Sequence, residues 1–348
     1  MYSEDSFRHL NLPKHYKKLL ANISNNSLAK STWSSYRTSL NKLDQYAEET
    51  GNSIAFPTSK DTVLSFTAWL LSKGVGTSTV NTYLSGLRQA HMTMGMEPPN
   101  LHTNLVNQVL QGKQNLENLD RVNKKNPCRL PMTIILMRIL RKELKTARLN
   151  DMDRGAVWAV ATLAFSGGFR PGELLCSKEW SFDPAVNLLK RDIKVKTLVI
   201  DGERTEILQI KMKAEKQNKK GGINLIDVYA SDGKLCPVKA YQDWDGLNAT
   251  RRKDGPAFCR SDGAAMTKNF FNAILKRTLN KHIDGVNGFI SGHSFRTGMA
   301  SLLGSLGYHE QDIMKAGRWS SSAYLSYLKL PRTRRMHIAK KIAEATRL

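Results

Sequence analysis

His293 and Arg296 stand three residues apart in Gly292-His293-Ser294-Phe295-Arg296-Thr297-Gly298. On a helix that interval puts an imidazole and a guanidinium on one face, and Gly292 is a natural turn into such a helix. One helical turn then offers both groups to one small anion. Gly317-Arg318-Trp319 follows, and after it Tyr324 and Tyr327. An indole N–H is a donor only, and a phenol can be a nucleophile. Arginine, histidine and tyrosine converging on one phosphate amount to a phosphoryl-transfer site.

Such a site has three needs when it cuts a DNA strand by transesterification. A nucleophile attacks phosphorus in line, the growing charge is neutralised, and the leaving 5′ oxygen is protonated. Without a metal, neutralisation falls to arginines, whose paired N–H groups match two phosphate oxygens. Arg296 is one candidate. Arg170 is the other, in Ser166-Gly167-Gly168-Phe169-Arg170-Pro171-Gly172-Glu173. Pro171 suits the first position of a helix and keeps Arg170 out of helical geometry, so Arg170 is expected at a helix N-terminus that favours an anion. Glu173, one turn on, can brace its guanidinium. His293 can hydrogen-bond the phosphate or take a tyrosine proton. Lys216, in the lysine-loaded turn of residues 211–222, is the candidate acid for the leaving oxygen, with Lys213 its rival. Trp319 can aim its indole N–H at a phosphate oxygen. Each residue also has a bland reading, as a buried structural partner or a solvated charge; the joint pattern favours function. Tyr327 lies eight residues after Trp319 and one turn after Tyr324, and spacing alone does not choose between the tyrosines.

The elements around these residues are mostly helical. Trp33, Tyr36, Leu40 and Leu43 recur at helical spacing, with Ser31 or Thr32 as a cap. Residues 63–71 form an apolar helix, residues 79–87 another, and residues 105–110 a further one. Residues 15–112 therefore read as a domain of four or five helices, after a loose arm over residues 1–14. Its polar faces carry Lys30, Thr32, Arg37, Thr79 and Arg88 as candidate phosphate contacts. Residues 113–131 read as a basic linker, with Arg121 and Lys124 placed to follow a duplex backbone. Helices at 132–144 and 156–165 open a second domain over residues 132–329. In it, strands at 197–200 and 206–212 flank Asp201-Gly202, a hairpin signal, and residues 222–229 add a third strand. Residues 330–348 read as a basic amphipathic helix.

Composition narrows the partner. The chain has 348 residues, a net charge of +23 and 41% hydrophobic residues. That is enough apolar content for real cores, and the charge points to nucleic acid. No apolar run approaches the roughly 20 residues of a membrane span, and the first residues lack the layout of a secretory signal. Cys128, Cys176, Cys236 and Cys259 are too scattered for a zinc site or disulfide framework, which argues for an intracellular, reducing setting. The histidines show no metal-ligand spacing, so neither metal nor cofactor is expected.

With these residues assembled, residues 126–327 resemble the tyrosine recombinase (phage integrase) family, and the helical domain before them resembles its core-binding domain. The resemblance rests on Arg170 with Glu173, Lys216 in a β-hairpin, His293-x-x-Arg296, Trp319 where the family has His or Trp, and Tyr327, in that order. Trp at the fifth position is Cre-like. The wording around Gly292 and Gly317 is similar to recombinases of crypton-type mobile elements. The resemblance implies a mainly α chain with a small antiparallel β-sheet, a helical core-binding domain and a mixed α/β catalytic domain forming a C-shaped clamp on double-stranded DNA. It implies that Arg170, His293, Arg296 and Trp319 bind the scissile phosphate, that Lys216 protonates the 5′-OH, and that Tyr327 forms a 3′-phosphotyrosine. Tyr324 is the alternate and Lys213 a further DNA contact. It also implies strand exchange through a Holliday junction in a homotetramer on two DNA sites, monomeric or dimeric off DNA, with residues 330–348 docking on the next protomer. A type IB topoisomerase and a domesticated DNA-binding protein without catalysis are the rival readings.

Overall fold

The structure, a computed structural model, describes residues 1–124, 127–200, 202–213, 224–247, 252–283, 286–319 and 325, without the side chains at 30, 120–124 and 200. Lys216, Tyr324, Tyr327 and residues 330–348 lie outside the described residues. The chain divides into two compact units, Met1–Lys125 and Asn126–Leu348.

The first unit is helical: α1 (Lys14–Asn25), α2 (Lys30–Thr50), α3 (Lys60–Ser72), α4 (Thr77–Thr93) and α5 (Asn104–Lys124). Its core is Leu43, Tyr46, Phe66, Leu70, Leu84 and Val106 with their neighbours. Helix α3 starts where Ser59 accepts the Thr62 N–H at 3.0 Å, a cap contributing about 1 kcal/mol. Three expectations need correction. Helix α2 begins at Lys30 behind Ala29, so Ser31 and Thr32 lie in its first turn rather than at its cap. Residues 1–14 are not a loose arm. A 3-10 turn at Glu4–Phe7 lets Tyr2 stack on Phe7 and meet the edge of Trp33, while the Tyr2 N–H donates to Asn25 Oδ1 at 2.8 Å. The exposed end of the aromatic stripe on α2 supplies the apolar surface that orders them. Finally, α5 continues to Lys124, through residues expected to form a linker. Polar helix formers there sustain the helix once its first turns are packed.

The second unit surrounds α7 (Asp151–Ser166), which is buried nearly all round by α6 (Ile134–Thr146) and later elements. After the single turn α8 (Pro171–Leu174) comes a three-stranded antiparallel sheet, β2 (Ile193–Ile200), β3 (Glu203–Met212) and β4 (Asn224–Tyr229), in that order. Ile200 pairs with Glu203, and Gly202 at φ 84° allows the two-residue turn. Helices α9 (Pro237–Gly246), α10 (Lys268–Leu279), α11 (His293–Leu306) and α12 (Glu310–Gly317) complete the unit. One pairing was not anticipated: β1 (Cys128–Arg129) runs parallel to β5 (Gly288–Phe289), so the end of the expected linker belongs to this unit. All four cysteines are free thiols.

Each unit has its own core, so damage to one should stay local. Phe66→Ala should lower the opening free energy of α3 and α4 amides by about 3–5 kcal/mol, read by hydrogen exchange. The α6 and α7 amides should keep their protection; equal loss in both units would contradict separate cores.

Candidate active site

The site grows from the turn after α7. Gly168 sits at φ 57°, a left-handed position that glycine adopts without penalty. The chain then extends through Arg170 at φ −76°, ψ 143°, as Pro171 requires. The expected helix N-terminus is only one turn long, so its backbone offers no dipole site. Glu173 does the bracing instead. Its Oε2 accepts the Arg170 N–H at 2.8 Å and its Oε1 accepts Arg170 Nη1 at 2.8 Å.

Helix α11 starts at His293, as its spacing predicts. The Gly292 N–H donates to Asn272 Oδ1 on α10 at 2.8 Å, and the Pro171 ring occupies the space a side chain at Gly292 would need. That close approach brings the first turn of α11 onto α8. Arg296, 1% exposed, donates through Nη1 to the Gly168 carbonyl at 2.5 Å. Its guanidinium lies 4.3 Å from the Trp319 ring centroid. Trp319 reaches that place by packing on Gly317, where any Cβ would collide with the indole. Trp319 is buried and presents its ring face to Arg296.

Sequence reasoning passed over Arg318. It ends α12 in the left-handed region, at φ 53° and ψ 47°, the one described non-glycine residue with positive φ. Its Nη1 donates to the Gly167 carbonyl at 2.8 Å, and its Nη2 to Glu173 Oε2 at 2.8 Å. The guanidinium stacks 4.5 Å from the Phe169 centroid. The available signal was an arginine directly after Gly317, at a helix end where glycine or asparagine is the ordinary residue.

The structure thus brings together Arg170, Glu173, His293, Arg296 and Trp319. Burial pushes the His293 imidazole below the ordinary 6.5, and the charges of Arg129, Arg170 and Arg296 push it the same way against Glu173. A neutral ring has one donor and one acceptor nitrogen.

Lys213 departs from expectation. Its ammonium is 2.8 Å from Asp192 Oδ2, a carboxylate only 4% exposed, and 2.9 Å from the Pro184 carbonyl. It is committed to protein partners rather than presented to a duplex or a leaving oxygen. Arg37, Thr79 and Arg88 are exposed and Thr32 is half-buried in the first unit. Nothing is described of the Lys30, Arg121 and Lys124 side chains. Among the described residues no three His, Cys, Asp or Glu side chains converge as metal ligands, and no helix is long and apolar enough to cross a membrane.

Solved structures share this arrangement of elements. XerH site-specific recombinase, bound to palindromic difH substrate in a post-cleavage complex, superposes with a TM-score of 0.57 at 15% identity, covering 88% of this chain and 78% of that one. The Tn1549 transposon integrase in complex with transposon right end DNA gives 0.55 at 12% identity, covering 90% and 94%. A lambda integrase dimer bound to a core site gives 0.52 at 14%, covering 90% and 75%. The chain has the tyrosine recombinase fold. Residues 16–94 also match the family described as phage integrase, N-terminal SAM-like domain. No curated protein is significantly similar to the chain in sequence.

The electrostatics carry a pH signature. An imidazole whose pKa falls on folding costs stability only when the unfolded chain takes the proton first. Its contribution is therefore complete above about 6.5 and is lost as pH drops toward the folded value. His293 should titrate below 6.5 by NMR, and Arg129→Ala should move it upward. A His293 titrating at or above 6.5 in the intact protein would contradict this picture.

Proposed function

We propose that the chain is a site-specific DNA recombinase of the tyrosine recombinase family, which cleaves and rejoins strands through a 3′-phosphotyrosine. The observation that carries this reading is the convergence of Arg170, His293 and Arg296 in a fold shared with XerH and the Tn1549 and lambda integrases.

In this reading Tyr327 is the nucleophile. Its oxygen forms a bond to phosphorus as the bond to the 5′ oxygen breaks. The proton lost by the phenol is taken by a base, for which neutral His293 is suited, and Lys216 supplies one to the 5′ oxygen. One phosphoester replaces another, so the exchange needs no external energy source, and rejoining is the same step reversed. Arg170 and Arg296 neutralise the charge that grows on the non-bridging oxygens, where a fixed donor contributes most. The indole of Trp319 orients Arg296 from below. Double-stranded DNA is the partner, with Arg37, Thr79 and Arg88 among its phosphate contacts. A tetramer on two sites, exchanging strands through a Holliday junction, completes the proposal. Its Cre-like character, with Trp319 in the fifth position, and its place in the crypton-type branch are part of the same reading.

A suicide substrate tests it, a duplex nicked so that the cleaved strand diffuses away. Wild-type protein should trap a covalent adduct, Tyr327→Phe should abolish it, and Tyr324→Phe should retain it. The reverse pattern would make Tyr324 the nucleophile, and adducts with both variants would end the recombinase reading. Relaxation of supercoiled DNA with no exchange between two sites would assign a type IB topoisomerase instead. Arg170→Ala should slow adduct formation by about 10²–10³-fold while duplex affinity changes only a few-fold.

A further inference from the structure

We infer that Arg318 is a positioning residue of this site, fixing Arg170 and Arg296 relative to each other from behind. The inference rests on the recombinase reading for the reaction it serves. Its geometry stands independently.

Three observations carry it. First, Arg318 holds a left-handed backbone, which a side-chain-bearing residue adopts only at an energetic cost. Such strain persists where the surroundings over-determine it, and glycine would avoid it. Second, its two terminal nitrogens have different partners: Gly167 O on one side and Glu173 Oε2 on the other, each at 2.8 Å. Glu173 accepts the Arg170 guanidinium on its other oxygen and the Arg170 N–H on the same Oε2. Gly167 O neighbours Gly168 O, the acceptor for Arg296. One guanidinium therefore ties the Arg170 brace to the carbonyl turn that seats Arg296. Third, Arg318 immediately precedes Trp319, whose ring lies under Arg296. A shift of the α12 end moves both the carboxylate brace and the indole.

The fork matters more than the charge. Lysine has a single terminal nitrogen on a flexible stem, whereas the planar guanidinium presents separate donors to a carbonyl and a carboxylate at once. Both terminal nitrogens of Arg318 are taken by protein acceptors and its face lies on Phe169, so the side chain is committed to protein groups. It therefore acts through Arg170 and Arg296 rather than on substrate.

The test uses the full chain on the suicide duplex, at protein concentrations that saturate binding. Arg318→Gly restores the residue the backbone prefers and deletes the fork. It should slow the single-exponential rate of adduct formation by about 10²-fold, the scale of a 1 Å misplacement, with duplex affinity within a few-fold of wild type. Arg318→Lys should be nearly as slow. Millimolar guanidinium, against equal sodium chloride, should restore a large part of the rate to Arg318→Gly by refilling the slot. A purely structural role would lower the amplitude of adduct and the fraction of protein that binds, leaving the rate constant of the folded fraction unchanged and guanidinium without effect. That pattern would overturn the inference, as would full activity in Arg318→Lys or Arg318→Gly. A wild-type protein that forms no adduct overturns the recombinase reading and the positioning role with it. A normal wild type beside an unaffected Arg318→Gly overturns the positioning role alone.

Discussion

Glu173 accepts the Arg170 guanidinium on one carboxylate oxygen and the Arg318 guanidinium on the other, with 8% of its side chain exposed. Much of the second unit is arranged around making that possible. Guanidiniums crowded into a partly dry site repel one another by several kcal/mol at contact distances, even with an effective dielectric near 20. One buried carboxylate cannot offset three of them. The remainder is met by neutral groups: the adjacent carbonyls of Gly167 and Gly168 take one donor each from Arg318 and Arg296. The aromatic faces of Phe169 and Trp319 lie against the same two guanidiniums, an arrangement that suits arginine's weakly hydrated plane. A single turn after α7 is therefore the acceptor surface for two arginines that arrive from distant parts of the chain.

This solution leaves the cluster positive on balance, and that residual charge is chemically useful. It is part of what keeps His293 neutral, so the imidazole retains an acceptor nitrogen at neutral pH. It also means that the best remaining partner for the exposed side of Arg170 is an anion with several oxygens. In the proposed function that anion is a phosphodiester, whose non-bridging oxygens can take donors from two directions. Removing Glu173 would leave Arg170 and Arg318 facing each other with no common acceptor, and breaking a buried pair of this kind typically costs about 3–5 kcal/mol. The carboxylate is thus a condition for the arginines' presence.

Much of this was legible in the sequence. The H-x-x-R interval and the R-P-G-E turn were readable because helical periodicity and the restriction before proline act locally. The two-residue turn at Gly202 was readable for the same reason. What failed depended on contacts across the chain. The order of residues 1–14 comes from Tyr2 meeting Trp33 and Asn25, which polar composition does not reveal. Lys213 looked like any other lysine of its turn until Asp192 was found beside it. Arg318 looked like a spacer between Gly317 and Trp319, since its importance lies in a backbone angle and in partners some 150 residues away.

Lys213 and Arg318 together qualify what net charge can say. A charge of +23 suits a polyanionic partner, but it averages over cations with different roles. Exposed ones such as Arg37 and Arg88 act through water, where physiological salt screens them beyond about 8 Å. In the proposed function, their contribution to DNA affinity falls steeply as salt rises. Arg296 and Arg318 are fixed by carbonyls, rings and a carboxylate, and their placement is set before any DNA arrives. Under that proposal, salt acts on duplex binding far more than on the geometry of the site. Under the same proposal, attraction is spread over many weak, screened charges, whereas phosphate geometry is met by a few arginines that cannot move.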